Sequence, residues 1–100
     1  MSMDYKIFFD DLALKFLKKL DKAVVRQILK RIGLLRKHPY LGKPLGNKMG
    51  MNLTGYYKLY ACEKKMRIVY TVSERKIRVT IVMIGKREKG EVYQNVLKSI

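Results

Sequence analysis

At 100 residues, with 23 Lys plus Arg against 8 Asp plus Glu and a formal net charge of +15, the chain has room for one ordinary domain, residues 1–100. Its 48% apolar content supports a real core and excludes a disordered basic tail. So large a charge on so small a body repels itself and points to a polyanionic partner: nucleic acid, an acidic protein or an anionic membrane surface.

Tyr5-Lys6-Ile7-Phe8-Phe9 reads as a short strand rich in β-formers, ended by Asp10-Asp11. Those aspartates suit a helix N-terminus, where carboxylates meet free N–H groups and the helix dipole. Leu12, Phe16, Leu17 and Leu20 follow at helical spacing, with Lys15, Lys18, Lys19 and Lys22 toward the other side. Asp21 is placed to cap a second helix. Its apolar stripe is Val24, Val25, Ile28, Leu29, Ile32 and Leu35, while Arg26, Lys30, Arg31 and Lys37 lie largely off it. The short connection between two long stripes predicts an antiparallel helical hairpin.

Pro39 and Pro44 break the helical pattern, and residues 46–55 read as a turn-rich bridge. From Tyr56 the apolar period becomes two. Residues 56–61, 66–72 and 76–84 read as three strands, and their short connections imply antiparallel hairpins. Residues 85–90 then form a charged loop, and residues 91–100 a last helix with Val92, Val96 and Ile100 roughly aligned. The order predicts an α+β domain: an N-terminal strand, a helical hairpin packed on an antiparallel sheet, and a C-terminal helix.

The charge has a place. Residues 1–21 carry four basic and four acidic groups, whereas Lys22 through Cys62 hold nine basic residues and no acid. Cys62 and His38 are each the only residue of their type, which excludes a disulfide framework, a cysteine-based zinc site and chemistry built on paired histidines. The N-terminus lacks the pattern of a signal peptide, and no run approaches the ~18 apolar residues of a membrane span. A reducing cytoplasm is the expected compartment, with no membrane, metal or small-molecule cofactor.

Conventional hydrolase motifs are missing: no phosphate-cradling glycine loop, no carboxylate pair, and no histidine near Ser2, Ser73 or Ser99. What remains is a set of cations and tyrosines on the predicted sheet. Lys58 and Tyr60 are two apart on one strand and project from one face. Arg67, between core-like Met66 and Ile68, suits the same outward face of the next strand. Lys86 and Arg87 end the last strand, and Tyr93 opens the final helix. Arg and Lys grip phosphate, and a tyrosine ring stacks on an unpaired base.

Ile84-Gly85-Lys86-Arg87-Glu88-Lys89-Gly90-Glu91-Val92-Tyr93 resembles the C-terminal signature of RelE toxins, mRNA-cutting members of the RelE/ParE toxin–antitoxin superfamily. Tyr57-Lys58-Leu59 and Met66-Arg67-Ile68-Val69-Tyr70 resemble its middle strands, with the same nine-residue interval from Lys58 to Arg67. The resemblance implies a ribosome-dependent, metal-independent endoribonuclease that attacks through the 2′-hydroxyl of mRNA and is silenced by a cognate antitoxin. By position it makes Lys58 the lysine that activates the 2′-hydroxyl and Arg67 the arginine that stabilises the phosphate. It likewise puts Arg87 beside the scissile phosphate and leaving group, and Tyr93 on a base. Lys86, Tyr60, Lys15, Lys18, Lys19, Lys22 and Arg26 are candidate contacts to mRNA or ribosomal RNA. In one place the chain departs from the family: Tyr60 stands where active members often carry a second lysine. A non-catalytic, ParE-like gyrase inhibitor shares the fold, as does a binder that has lost cleavage.

Overall fold

In the computed structural model, residues 4–48 and 50–86 are described. The helix expected over residues 91–100, together with Arg87 and Tyr93, lies outside the described residues. Strand β1 (Lys6–Phe9) leads into helices α1 (Asp11–Lys18) and α2 (Lys22–Gly33), and α2 tightens into a 3₁₀ turn (Leu34–Arg36). Strands β2 (Lys43–Lys48), β3 (Met51–Ala61), β4 (Met66–Ser73) and β5 (Arg78–Lys86) follow.

The strands form one five-stranded sheet in the order β1-β5-β4-β3-β2. The pairs β3–β4 and β4–β5 are antiparallel, as expected, and β2–β3, which was not foreseen, is antiparallel too. β1 is the exception: it runs parallel to β5, with Lys6 opposite Arg78 and Phe9 opposite Ile81. Two helices separate β1 from the rest of the chain, and that length lets it return in the parallel sense.

The expected turn-rich bridge over residues 46–55 is a correction. It contains the end of β2 and the start of β3, folded into a hairpin in which Gly50 takes φ +77° at the turn. Gly46, at φ +56°, sits where the register shifts beside Pro44. Glycine and proline here bend an edge strand; they do not abolish it.

Two apolar clusters hold the sheet. On one face Ala13 of α1 and Ile28 and Ile32 of α2, with Leu35 of the 3₁₀ turn, pack against Leu59, Ile68, Tyr70, Val79, Ile81 and Ile84. Fully burying side chains of this size contributes about 1.5–3 kcal/mol each. The second cluster joins Leu45, Leu53, Val69, Val82 and Met83, with Leu12 and Phe16 packed against it. The predicted stripe of α1 therefore divides: Leu17 and Leu20 serve the first cluster, Leu12 and Phe16 the second. Leu29, expected on the buried stripe of α2, is 44% exposed, because Ile28 and Ile32 already fill the centre of that face.

The loop before β2 is fastened from beneath. The Gly42 N–H donates to the hydroxyl of buried Tyr70 at 2.9 Å. A Cβ at Gly42 would come within 2.3 Å of the Lys58 carbonyl oxygen and 2.7 Å of the Tyr70 hydroxyl. Only glycine fits so close to the backbone of β3. Tyr57 stacks on Tyr70 and meets Tyr40 edge-on, each pair with ring centroids 5.5 Å apart.

Candidate active site

Pairing in register decides what meets on the face of the sheet turned away from α2. Lys58 lies opposite Val69, and Tyr60 opposite Arg67. Leu59, Ala61, Met66 and Ile68 alternate with them and point into the helix-covered core. Lys58, Tyr60 and Arg67 therefore share the other face, as their spacing predicts.

Their geometry is tight. Arg67 Nη2 donates to the Tyr60 hydroxyl at 3.1 Å, and its guanidinium carbon lies 5.3 Å from the ring centroid. Lys58 Nζ is also 5.3 Å from that centroid. Arg67 is only 8% exposed. Arginine is the cation suited to such a place, since its weakly hydrated planar head tolerates burial and keeps its charge. Burial by itself raises the phenol pKa of Tyr60, but the hydrogen bonds and charges of Arg67 and Lys58 outweigh it and bring the group down to about 8.

Beside this trio the edge of β3 is open, because pairing with β2 reaches Lys58 and stops. Arg31 of α2 crosses the gap and donates from Nε to the Tyr60 carbonyl at 3.0 Å. The result is a solvent-open groove of about 470 Å³ lined by Arg31, Lys43, Lys58, Tyr60 and Lys64. Sequence reasoning missed Arg31, Lys43 and Lys64 as contributors. The available signal for Arg31 was its position at the border of the α2 stripe, three residues after buried Ile28.

Lys86 is placed elsewhere. Tyr70 pairs with Ile81 and Val69 with Met83, which leaves Val82 as the extra residue of a bulge. Past the bulge the alternation flips. Met83 and Gly85 turn to the open face, while Lys86, opposite Met66, turns toward α2 and shares a cavity with Val24 and Cys62. Lys86 therefore does not join Lys58 and Arg67. Lys15, Lys18, Lys19, Lys22 and Arg26 are all exposed along the two helices and the turn between them. Lys19 Nζ lies 5.8 Å from the Phe16 ring centroid. Arg87 and Tyr93 lie outside the described residues. Among the described residues no three of His, Cys, Asp and Glu gather as a metal site, and no helix is long and apolar enough to cross a membrane.

Residues 7–90 match the family model described as the ParE toxin of the parDE type II toxin–antitoxin system. The mRNA interferase toxin RelE of Escherichia coli K12 is 33% identical over 98 residues, 98% of this chain and 99% of that protein. The chain belongs to the RelE branch of the RelE/ParE toxin superfamily. A RelE-like toxin protein of Escherichia coli is 32% identical over 91% of this chain and 92% of its own length. Among solved structures, an arginine-to-alanine double mutant of Escherichia coli RelE in the free state superposes with a TM-score of 0.78 at 31% identity, covering 98% of this chain and 99% of that one. RelE in the intact Escherichia coli RelBE toxin–antitoxin complex superposes with a TM-score of 0.67 at 31% identity, over 85% and 99% of the two chains. The α+β architecture expected from the sequence is the RelE fold. In this RelE-type chain the face carrying Lys58, Tyr60 and Arg67 occupies the middle strands of that fold.

Proposed function

We infer that this protein is the toxin of a type II toxin–antitoxin system, an endoribonuclease that cuts translated mRNA on the ribosome. The observation that carries the reading is the placement of Lys58 and Arg67 on one open face of the sheet, joined through Tyr60. RNA cleavage by its own 2′-hydroxyl needs that group deprotonated, the charged phosphorane stabilised and the 5′-oxygen released. Arg67 serves as the preorganised cationic stabiliser of the phosphorane. Lys58 draws the 2′-hydroxyl toward deprotonation. By the family resemblance, Arg87 acts on the leaving group and Tyr93 stacks on a base. The ribosome supplies what so small a site lacks, a rigid in-line presentation of the mRNA. Lys86 and the exposed cations Lys15, Lys18, Lys19, Lys22 and Arg26 hold ribosomal RNA, so binding weakens steeply with salt. The Escherichia coli relative is solved with its antitoxin; this chain has a cognate antitoxin of its own, which silences it in the cytoplasm.

Primer extension on a translated mRNA tests this, with wild type beside Arg67→Ala and Arg87→Ala. Cuts within codons that vanish in both variants support the reading. The match to the ParE model favours one alternative, a non-catalytic gyrase inhibitor. Growth arrest with inhibited gyrase and no cuts establishes that alternative and overturns the enzyme. Ribosome or antitoxin binding without cuts identifies a RelE-fold binder that has lost cleavage.

A further inference from the structure

Tyr60 stands between Lys58 and Arg67 on the open face of the sheet, and the structure gives its hydroxyl specific surroundings. Arg67 donates to it from the facing strand at 3.1 Å, and Lys58 stands 5.3 Å from the ring on its own strand. From β5 the residue opposite Arg67 is Gly85, which brings neither charge nor bulk. Arg31 of α2 holds the Tyr60 carbonyl, and Lys43 of β2 and Lys64 of the β3–β4 turn line the adjoining groove. Glu63, on the same turn, is the one carboxylate lining that groove among the described residues. With two cations already set against its ring, Tyr60 is poorly placed to stack on a base. Its hydroxyl is the group on which Arg67 and Lys58 act.

We propose that Tyr60 is the general base of the cleavage reaction, its phenolate held between Arg67 and Lys58 and taking the proton of the attacking 2′-hydroxyl. The proposal rests on the mRNA-cleavage reading and assigns the proton that the reading leaves between Lys58 and the 2′-hydroxyl. The phenolate accepts the 2′ proton. The 2′-oxygen bonds to the adjacent phosphorus, and the bond from phosphorus to the 5′-oxygen breaks. Arg67 and Lys58 carry the added negative charge of the phosphorane. The 5′-oxygen leaves with the bonding pair and takes a proton from water, and the hydroxide so formed removes the proton from Tyr60. The products are a 2′,3′-cyclic phosphate and a 5′-hydroxyl, with no oxidant or reductant involved. The supply of base is adequate: a phenol titrating at about 8 is roughly one-tenth phenolate at neutral pH, about a hundredfold more than an ordinary tyrosine.

The test is single-turnover cleavage of ribosome-bound mRNA by wild type, Tyr60→Phe and Arg67→Ala between about pH 6.5 and 9. The wild-type rate is expected to rise about tenfold per pH unit and level off near 8. Tyr60→Phe keeps the ring and loses the phenolate. It is expected to cut on the order of 10²–10⁴-fold more slowly at neutral pH and to lack the inflection. An ultraviolet titration of tyrosinate should lose one transition near 8 in the same variant, and circular dichroism confirms that it folds. A Tyr60→Phe protein that keeps the inflection with its rates lowered by one constant factor makes Tyr60 a positioning residue for Arg67 and overturns the proposal. One that cuts within tenfold of wild type also overturns it, while loss of cutting in Arg67→Ala alone leaves the parent reading intact. If wild type makes no cuts at all, the parent reading fails and this one falls with it.

Discussion

The two faces of the central strands are built from the same stretch of chain and answer to different demands. Toward the helices, β3 and β4 turn Tyr57, Leu59, Ala61, Met66, Ile68 and Tyr70 into one apolar cluster. Away from them, the alternate positions run from apolar Tyr56 and Val69 to Lys58, Tyr60 and Arg67. The second face is thus a core at one end and a cationic site at the other. The apolar end, closed by Leu45, Leu53 and Met83, anchors the strands from which the cations project. Stability and chemistry are interleaved residue by residue, and yet remain separable by face.

Adjacent Ile68 and Arg67 give the sharpest way to break that separation. Ile68→Ala removes a fully buried side chain and should cost about 2–5 kcal/mol of stability in urea denaturation. Arg67→Ala should cost less stability but raise the cleavage barrier by about 2.7–4 kcal/mol, read as a drop in single-turnover rate. Equal losses in both assays for both variants would erase the distinction. Gly42→Ala should affect both faces at once. Its Cβ collides with the Lys58 carbonyl and the Tyr70 hydroxyl, so about 1–3 kcal/mol of stability is lost and the Lys58 backbone shifts. Undiminished stability would show that the loop relaxes away from β3.

The smallest effect is a pH dependence. Tyr60 titrates near 10 in the unfolded chain and at about 8 in the folded one. Below 8 both states keep the proton and the group contributes nothing. As pH rises through about 8 the folded state ionises first, so its stability grows, and the gain is complete near 10. The stability difference between wild type and Tyr60→Phe should therefore widen over that interval. A constant difference would place Tyr60 outside the influence of Arg67 and Lys58.

Much of this arrangement was legible in the residues. Period-two patterning located β4 and the pairing end of β3, and the interval from Lys58 to Arg67 placed both on one face, because a short antiparallel turn leaves few registers open. The hairpin over residues 46–55 was not legible, since glycine and proline mark bulged edge strands and loops alike. Lys86 escaped for a related reason. An unpaired residue at Val82 reverses every later side chain of β5, and nothing in Thr80 through Ile84 announces it.

The net charge of +15, the single cysteine and the single histidine were settled by the sequence alone, because they depend only on which residues are present. So was the alternation that sets Lys58, Tyr60 and Arg67 apart from the core. Tertiary structure decided the rest: the parallel return of β1, the division of α1 between two clusters, and the crossing of Arg31 to the open edge of β3. It also decided that the phenol of Tyr60 titrates low, because a titration depends on distances across strands and on burial, and neither is a property of one residue.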